Sequence, residues 1–231
     1  PEPFGWGQYT RWSIFSRVSQ DLVKIIASAK DGDPVFKYLI TELNVLKTEL
    51  PDLTKSLEMT LFYYHDLADA SQKRMQTYGG PFYIRLIPMG LIIKREIKIL
   101  DIAYEGIMKL TKLKGYDALK AVGKMEKNKK SLYFSAFYTT EITTRFQVHY
   151  SRLTQINGLI IAAAMRQYKT DKGYYPDKPE DLVPGYLTSI PEDYMSPGGK
   201  FTYRKKGQSE AILYSYGTNL TDEGGSSSFM Q

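Results

Sequence analysis

Two histidines are the side chains of this sequence best suited to metal binding or proton transfer. His65 lies in a predicted helix with Asp69 four residues further on, so both side chains are expected on one face. One histidine and one carboxylate supply only half of a typical zinc site. We therefore expect His65 to make a hydrogen bond at the helix surface. His149 has no partner close in sequence, and we expect a partly buried structural role for it.

The sequence contains none of the short motifs that mark the common enzyme classes. It has no Gly-x-Ser-x-Gly turn, no phosphate-binding glycine loop, no dinucleotide fingerprint and no His-Glu-x-x-His helix. Cysteine is absent, which excludes disulfides, thiolate metal sites and cysteine nucleophiles. The carboxylates of Glu192–Asp193 and of Asp222–Glu223 are adjacent, so in extended chain each pair points apart. We expect a protein that is not an enzyme.

The balance of charges bears on the kind of partner. The chain has 31 Lys and Arg against 25 Asp and Glu, a formal net charge of +6. A basic chain favours anionic partners, but here the two signs are interspersed. The densest basic cluster also contains Glu126, which is typical of a solvated helix end; its members are Lys124, Lys127, Lys129 and Lys130. No nucleic-acid partner is expected.

Hydrophobic periodicity predicts that a mostly helical chain carries these residues. Apolar side chains recur at spacings of three and four, as in Phe36, Leu39 and Leu43, which places them on one helix face. Gly79-Gly80-Pro81 predicts a break between helices, and Pro88 predicts a kink or a fresh start. The predicted helices cover residues 8–30, 35–50, 53–77, 82–114, 116–127 and 131–170, and Asp52 is a candidate cap for the helix that begins at residue 53.

The character of the chain changes at Asp171. Asp171-Lys172-Gly173 supplies a stop for the long helix, and Pro176 cannot continue a helix and favours an extended exit. Leu182, Val183 and Leu187 are spaced to fold a short turn onto the helix. Two strand-like runs, Lys200 to Lys205 and Ala211 to Ser215, flank a short loop that contains glycine, which predicts a β-hairpin. We therefore predict an α+β, predominantly helical fold. A helical N-terminal bundle, residues 1–130, would precede a long helix and a small antiparallel sheet, residues 131–231.

Short segments follow one another in a definite order near the end of the chain. They are Gln167-Tyr168-Lys169, Gly173-Tyr174-Tyr175-Pro176, Asp181-Leu182-Val183-Pro184, Phe201-Thr202-Tyr203 and Tyr214-Ser215-Tyr216-Gly217. This series resembles the periplasmic part of the major pseudopilins of type II secretion over about residues 150 to 225. It resembles still more closely a set of large bacterial envelope proteins, in which the same module follows a long helical region and an N-terminal membrane anchor. The resemblance implies a pseudopilin-type sheet on the long helix.

The resemblance also implies a candidate calcium site. Pseudopilins often bind calcium in the loop after the segment that matches Tyr214 to Gly217. In this chain Asn219, Asp222 and Glu223, with backbone carbonyls, are the matching oxygen donors. A later aspartate of the family's site has no counterpart in Ser226 to Gln231. A plain polar turn is the alternative, and no other cofactor is expected.

Two departures from the family limit what the resemblance implies. Pseudopilins begin with a leader and an apolar helix with a glutamate near its start, whereas this chain begins Pro1-Glu2-Pro3. Its long helix is internal, and the upstream half, Tyr133 to Phe146, is rich in threonine and charge. We do not expect polymerisation through that helix. The resemblance to the envelope proteins implies a membrane anchor in the native protein. That anchor would lie ahead of Pro1, because no apolar run here reaches the ~20 residues that a spanning helix needs.

These observations together predict a non-enzymatic, extracytoplasmic structural or interaction protein of the bacterial envelope, associated with secretion or pilus-like assemblies. Its partners would be other envelope proteins or itself. Tyrosine, present 19 times, combines a large ring with a polar tip and suits interfaces, although an ordinary tyrosine-rich core is equally consistent. A ligand-binding or sensory ectodomain is the main alternative, and a hydrolase without a recognisable motif is a third. The candidate contact residues are Tyr174, Tyr175, Tyr186, Tyr203, Tyr214 and Tyr216.

Overall fold

The computed structural model of the 231-residue chain describes residues 6–29, 34–78, 89–127 and 134–225. Helices dominate these ranges, and one antiparallel hairpin follows them, so the predicted α+β class is confirmed. The predicted break at Gly79–Pro81 and the kink at Pro88 lie outside the described residues. The helices are α1 (Trp6–Ser28), α2 (Val35–Thr48), α3 (Leu53–Tyr78), α4 (Met89–Leu110), α5 (Gly115–Lys127) and α6 (Phe134–Lys172); the strands are β1 (Thr202–Lys206) and β2 (Glu210–Tyr214).

Two helix ends show how local sequence sets the element boundaries. The Asp52 carboxylate accepts the backbone N–H of Lys55 at 3.0 Å, which caps the start of α3 and holds the pKa of Asp52 below its usual value. At the other end of the helical region, Gly173 adopts a φ of 83° just after α6. Its N–H donates to the Lys169 carbonyl at 2.7 Å, which closes the last turn. The predicted cap and the predicted helix stop are both confirmed.

The chain forms two compact units, and they divide it differently from the predicted boundary at residue 130. The first unit joins Pro1–Leu50 to Tyr150–Gln231, and the second is Pro51–His149. The first two helices therefore belong with the C-terminal hairpin, and α6 contributes residues to both units. The physical reason is that the apolar faces of α1 and α2 are buried in the same core as the second half of α6.

The core of the first unit brings together residues that are distant in sequence. Ile26 of α1 and Phe36 and Leu43 of α2 share this core with the buried face of α6, namely Ile156, Leu159, Ile160, Ile161, Ala163, Ala164 and Met165. From the turns after α6, Leu182 and Leu187 complete the core, as predicted. Val183, which was expected beside them, is instead exposed (36%), and it takes an extended conformation where the 3-10 turn of Pro179–Leu182 ends.

The hairpin lies against α6. In its register Tyr203 is opposite Leu213 and Lys206 is opposite Glu210, so residues 207–209 form the connecting loop. Side chains alternate between the faces of a strand, and Tyr203 and Leu213 both pack on the core. The ring of Phe201 comes so close to Gly158 of α6 that a Cβ there would lie 3.3 Å from it. The predicted placement of a small sheet on the long helix is thus confirmed.

The second unit contains α3, α4, α5 and the first part of α6. A buried polar network joins α3 to α6 within it. Arg145 donates to Glu141 at 2.5 Å and to the Ser56 hydroxyl at 2.9 Å, and Tyr64 donates to the other Glu141 oxygen at 2.9 Å. Burial, followed by the negative charge of Glu141, raises the pKa of Tyr64 well above its usual value. The tyrosine therefore stays a hydrogen-bond donor.

Candidate interaction site

The end of α6, the loop of residues 173–178 and the hairpin position the candidate contact residues. Gly173 turns the chain back toward the sheet, and the N–H of Tyr175 donates to the Gln208 carbonyl at 3.1 Å. That bond ties the loop to the hairpin turn. Four of the six predicted tyrosines meet here with Tyr168 of α6; we call this set the tyrosine cluster, and its members are Tyr168, Tyr174, Tyr175, Tyr186 and Tyr203.

Stacked rings form one half of the tyrosine cluster. The Tyr168 ring lies edge-on to Tyr174 with centroids 6.0 Å apart, and it is tilted against Tyr186 at 5.4 Å. The Tyr186 hydroxyl donates to the Asp171 carboxylate at 2.9 Å. Burial and this hydrogen bond together raise the pKa of Tyr186 to about 12. Tyr168 was not among the predicted contact residues, although it belongs to Gln167-Tyr168-Lys169, one of the segments on which the pseudopilin resemblance rests.

Tyr203 anchors the other half of the cluster. Its hydroxyl donates to the Pro176 carbonyl at 2.6 Å, which fixes the extended exit from α6 onto β1. Burial, then the nearby charge of Asp177, raises the pKa of Tyr203 to about 12. The ring of Tyr175 lies 4.8 Å below the ammonium group of Lys169. Tyr175 and Tyr203 therefore hold the loop in place more than they offer free surface.

Tyr174 is the member of the cluster that is most open to solvent. Its side chain is 40% exposed, and the Lys205 ammonium group lies 5.3 Å from its ring centroid. The same ammonium group pairs with the Asp177 carboxylate at 2.6 Å. Asp177 is itself highly exposed. The resulting surface is an aromatic ring beside a lysine–carboxylate pair, with the half-buried ring of Tyr168 packed edge-on against it.

One of the other two predicted tyrosines, Tyr214, lies on the opposite side of the hairpin. Tyr214 is opposite Thr202 in the register, so it faces away from Tyr203. Its ring contacts the Arg204 guanidinium at 5.5 Å, and its hydroxyl donates to Asp222 at 3.1 Å. The backbone N–H of Tyr216 donates to the buried Ser196 hydroxyl at 3.1 Å. Tyr214 therefore belongs to a separate surface, whereas Tyr216 is placed by its backbone contact with Ser196.

The three candidate calcium donors lie in one exposed loop, where they bond to protein groups. Asn219 donates to Glu223 at 2.7 Å and accepts the N–H of Thr221 at 3.1 Å. Asp222 accepts the N–H of Gly224 at 2.9 Å. The part of the chain that the structure describes contains no group of three or more His, Asp or Glu side chains that could hold a metal ion. The observed contacts are those of a polar turn, and calcium binding stays a prediction.

A buried carboxylate, which the sequence marked only as one of an adjacent pair, organises the loop before the hairpin. Asp193 is fully buried, and its Oδ1 accepts the N–H of Met195 and the hydroxyl of Ser215, each at 2.9 Å. From α6, Asn157 donates to the Glu192 carbonyl at 2.6 Å. Asn157 interrupts the apolar stripe of α6, and this interruption is the one sequence signal that could have indicated a polar connection there.

The histidines lie in the second unit. His65 bonds to Asp101 of α4 through Nε2 at 2.9 Å, so its partner comes from another helix and not from Asp69. The expected hydrogen-bonding role at a helix surface is confirmed, with a different partner. His149 is half-buried, as expected, and its charge acts on the carboxylate of Asp52.

The arrangement of the tyrosine cluster suits binding by surface contact. Rigid aromatic side chains flanked by charge lose little conformational entropy on association.

None of the described helices combines the length and apolar composition that crossing a bilayer requires. Comparison with known proteins found no matching family model, no matching curated protein and no matching solved structure.

Proposed function

We propose that the protein is a non-enzymatic structural or interaction component of the bacterial envelope, located outside the cytoplasm and built around a pseudopilin-like C-terminal module. One observation carries the proposal. A long helix ends at Lys172, a proline-containing loop reverses the chain, and the hairpin packs back on the helix at Gly158. This order of elements is the one that the resemblance in residues 150 to 225 implies.

The surface around Tyr174 is the proposed point of contact. Tyr168, Tyr186 and Tyr203 are held by ring contacts and hydrogen bonds, so the exposed ring of Tyr174 is presented on a fixed support. Aromatic residues on rigid supports are typical centres of protein interfaces, with charged groups at the rim. The proposed partners are other envelope proteins or a second copy of this protein, assembled near a membrane by an N-terminal anchor of the native protein.

Thiol labelling in cells tests the proposed location. The chain has no cysteine, so Glu210→Cys on the exposed hairpin adds a single accessible thiol to it. In the full-length native protein, a membrane-impermeant maleimide is expected to label this variant in spheroplasts. Leu57→Cys, at a fully buried position, is the matched control and should stay unlabelled. Labelling that appears only after lysis would refute an extracytoplasmic location.

Site-specific photocrosslinking tests the proposed contact surface. A photoreactive phenylalanine analogue replaces Tyr174 in the full-length protein in its own cells. The expected product is a crosslink to an envelope protein or to a second copy. Tyr38, an exposed tyrosine of α2, is the matched control position and should crosslink less. Equal crosslinking at both positions, or none at Tyr174, would contradict the assignment of this surface.

A further inference from the structure

Helix α3 carries a row of four exposed residues on the face opposite its buried side. Lys55, Met59, Phe62 and Asp66 follow one another at spacings of four, three and four, so they lie on one face. Met59 is 51% exposed and Phe62 is 75% exposed. The opposite face is occupied by the buried residues Leu53, Leu57, Thr60 and Tyr64. We call the exposed row the α3 seam.

The order of residues in the α3 seam is self-complementary. If a second α3 runs antiparallel, with a twofold axis between residues 60 and 61, Met59 of each copy lies opposite Phe62 of the other. The same operation places Lys55 of each copy opposite Asp66 of the other, so two opposite-charge pairs flank the apolar centre. Further out, about 13 Å from the axis along the helix, it places Asp69 of each copy opposite Asp52, the residue that caps α3. Twofold contacts of this kind are the commonest form of homodimer.

We propose that the α3 seam is the interface of an antiparallel homodimer. This inference names a second copy of the protein as the partner, and so it deepens the proposed function. It rests on the proposed role in protein–protein contact. It uses a surface other than the tyrosine cluster. Charge decides the orientation, because a parallel arrangement would place Lys55 against Lys55 and Asp66 against Asp66.

The two charged residues of the seam do not pair with each other within one chain, although the charge of Lys55 acts on the carboxylate of Asp52. Lys55 and Asp66 are eleven residues apart, about 16 Å along a helix, which is too far for a direct ion pair between them. Within the described ranges, neither side chain takes part in an ion pair. Their burial at the rim of an interface would exclude water from Phe62. The contact is small, so the dimer is expected to depend on protein concentration.

Charge reversal gives the sharpest test, read by sedimentation equilibrium of the purified protein from about micromolar to millimolar concentration. In K55D or D66K alone, both flanking pairs become repulsive, and the dimer should weaken by about tenfold. A 1:1 mixture of K55D and D66K should form the heterodimer, since both of its pairs are again opposite in charge. The double variant K55D/D66K should dimerise like the original chain. Failure of the mixture to associate would overturn the antiparallel assignment.

The apolar centre is tested separately. Phe62→Ser should weaken the dimer by about tenfold or more, because an aromatic anchor at the centre is lost. Ile102→Ser, on an exposed face of α4, is the matched control and should leave association unchanged. Circular dichroism checks that each variant is folded.

Other occupants of the seam would give different results. A protein that stays monomeric at millimolar concentration overturns the proposal. Seam-dependent binding to vesicles of anionic phospholipid, without self-association, also overturns it and indicates a membrane surface instead. Sedimentation reports self-association alone and thiol labelling reports the compartment alone, so failure of this inference and failure of the proposed function can be distinguished.

Discussion

The buried carboxylate of Asp193 accepts a hydrogen bond of 2.9 Å from the hydroxyl of Ser215, which lies 22 residues further along the chain. The same oxygen accepts the Met195 N–H at 2.9 Å and is 3.4 Å from the hydroxyl of Thr154 in α6. One side chain thus joins the long helix, the loop before the hairpin and the chain that leaves β2. A buried polar group is costly when its partners are removed, so this site should control the stability of the hairpin.

Asp193→Ala should destabilise the first unit strongly. The substitution leaves the Met195 N–H and the Ser215 hydroxyl without their buried acceptor, and the expected loss is about 3 kcal/mol in the free energy of unfolding. Urea unfolding followed by circular dichroism measures it. Asp177→Ala removes an exposed carboxylate and should change stability by less than about 1 kcal/mol. Equal losses in the two variants would contradict the role assigned to Asp193.

Arg145→Met should destabilise the second unit. Arg145 is largely buried, and its removal leaves the Glu141 carboxylate without its cationic partner. Breaking one side of such a pair is expected to cost about 3 kcal/mol, measured by urea unfolding. Lys24→Met is the matched control, because Lys24 pairs with Asp21 in the open and the substitution should cost about 0.5 kcal/mol or less. A loss below about 1 kcal/mol for Arg145→Met would show that the network contributes little.

The raised pKa values of Tyr186 and Tyr203, each about 12, predict a loss of stability at high pH. Below pH 10 both phenols are neutral in the folded and the unfolded chain. Between pH 10 and 12 the unfolded chain loses these protons first, so its free energy falls relative to the folded state and stability declines. Relative to the double variant Y186F/Y203F, the original chain should therefore lose more stability between pH 8 and pH 11.

Urea midpoints at the two pH values test this prediction. At pH 8 the free energy of unfolding of the double variant should be lower than that of the original chain by about 1 kcal/mol for each hydrogen bond removed. This gap in stability between the two proteins should narrow at pH 11. Tyr38→Phe, at an exposed position, serves as the control and should leave the pH dependence unchanged. A gap that is the same at both pH values would refute the link between these tyrosines and alkaline stability.

Deletion of residues 171–231 should affect the helices unequally. The sequence alone predicts that the N-terminal helices stay folded without the C-terminal segment. The structure instead places α2 in a core that includes Leu182 and Leu187, so α2 should lose protection from amide exchange. Helices α4 and α5 should keep theirs. If α2 keeps full protection from amide exchange, its core does not need the deleted segment. If all helices lose protection, the second unit cannot fold alone.

Much of the secondary structure was predictable because its signals are local. The stop at Gly173 and the cap at Asp52 depend on the conformations that neighbouring residues allow, and both occur as expected. The hairpin was also predictable, since alternating side chains around Gly207 specify two strands and a turn. Partners across the fold were harder to predict. His65 bonds to Asp101 and not to Asp69, because its nearest carboxylate comes from a neighbouring helix.

By itself, the sequence determined which stretches are helical, where the long helix ends, and that a small sheet follows it. Hydrophobic periodicity and turn chemistry act over a few residues, so they can be read without knowing the rest of the fold. Only the tertiary structure decided that α1 and α2 share a core with α6 and the hairpin, and that Asp193 is the buried polar centre of that unit. Many apolar faces are mutually compatible, and which of them meet depends on packing of the whole chain.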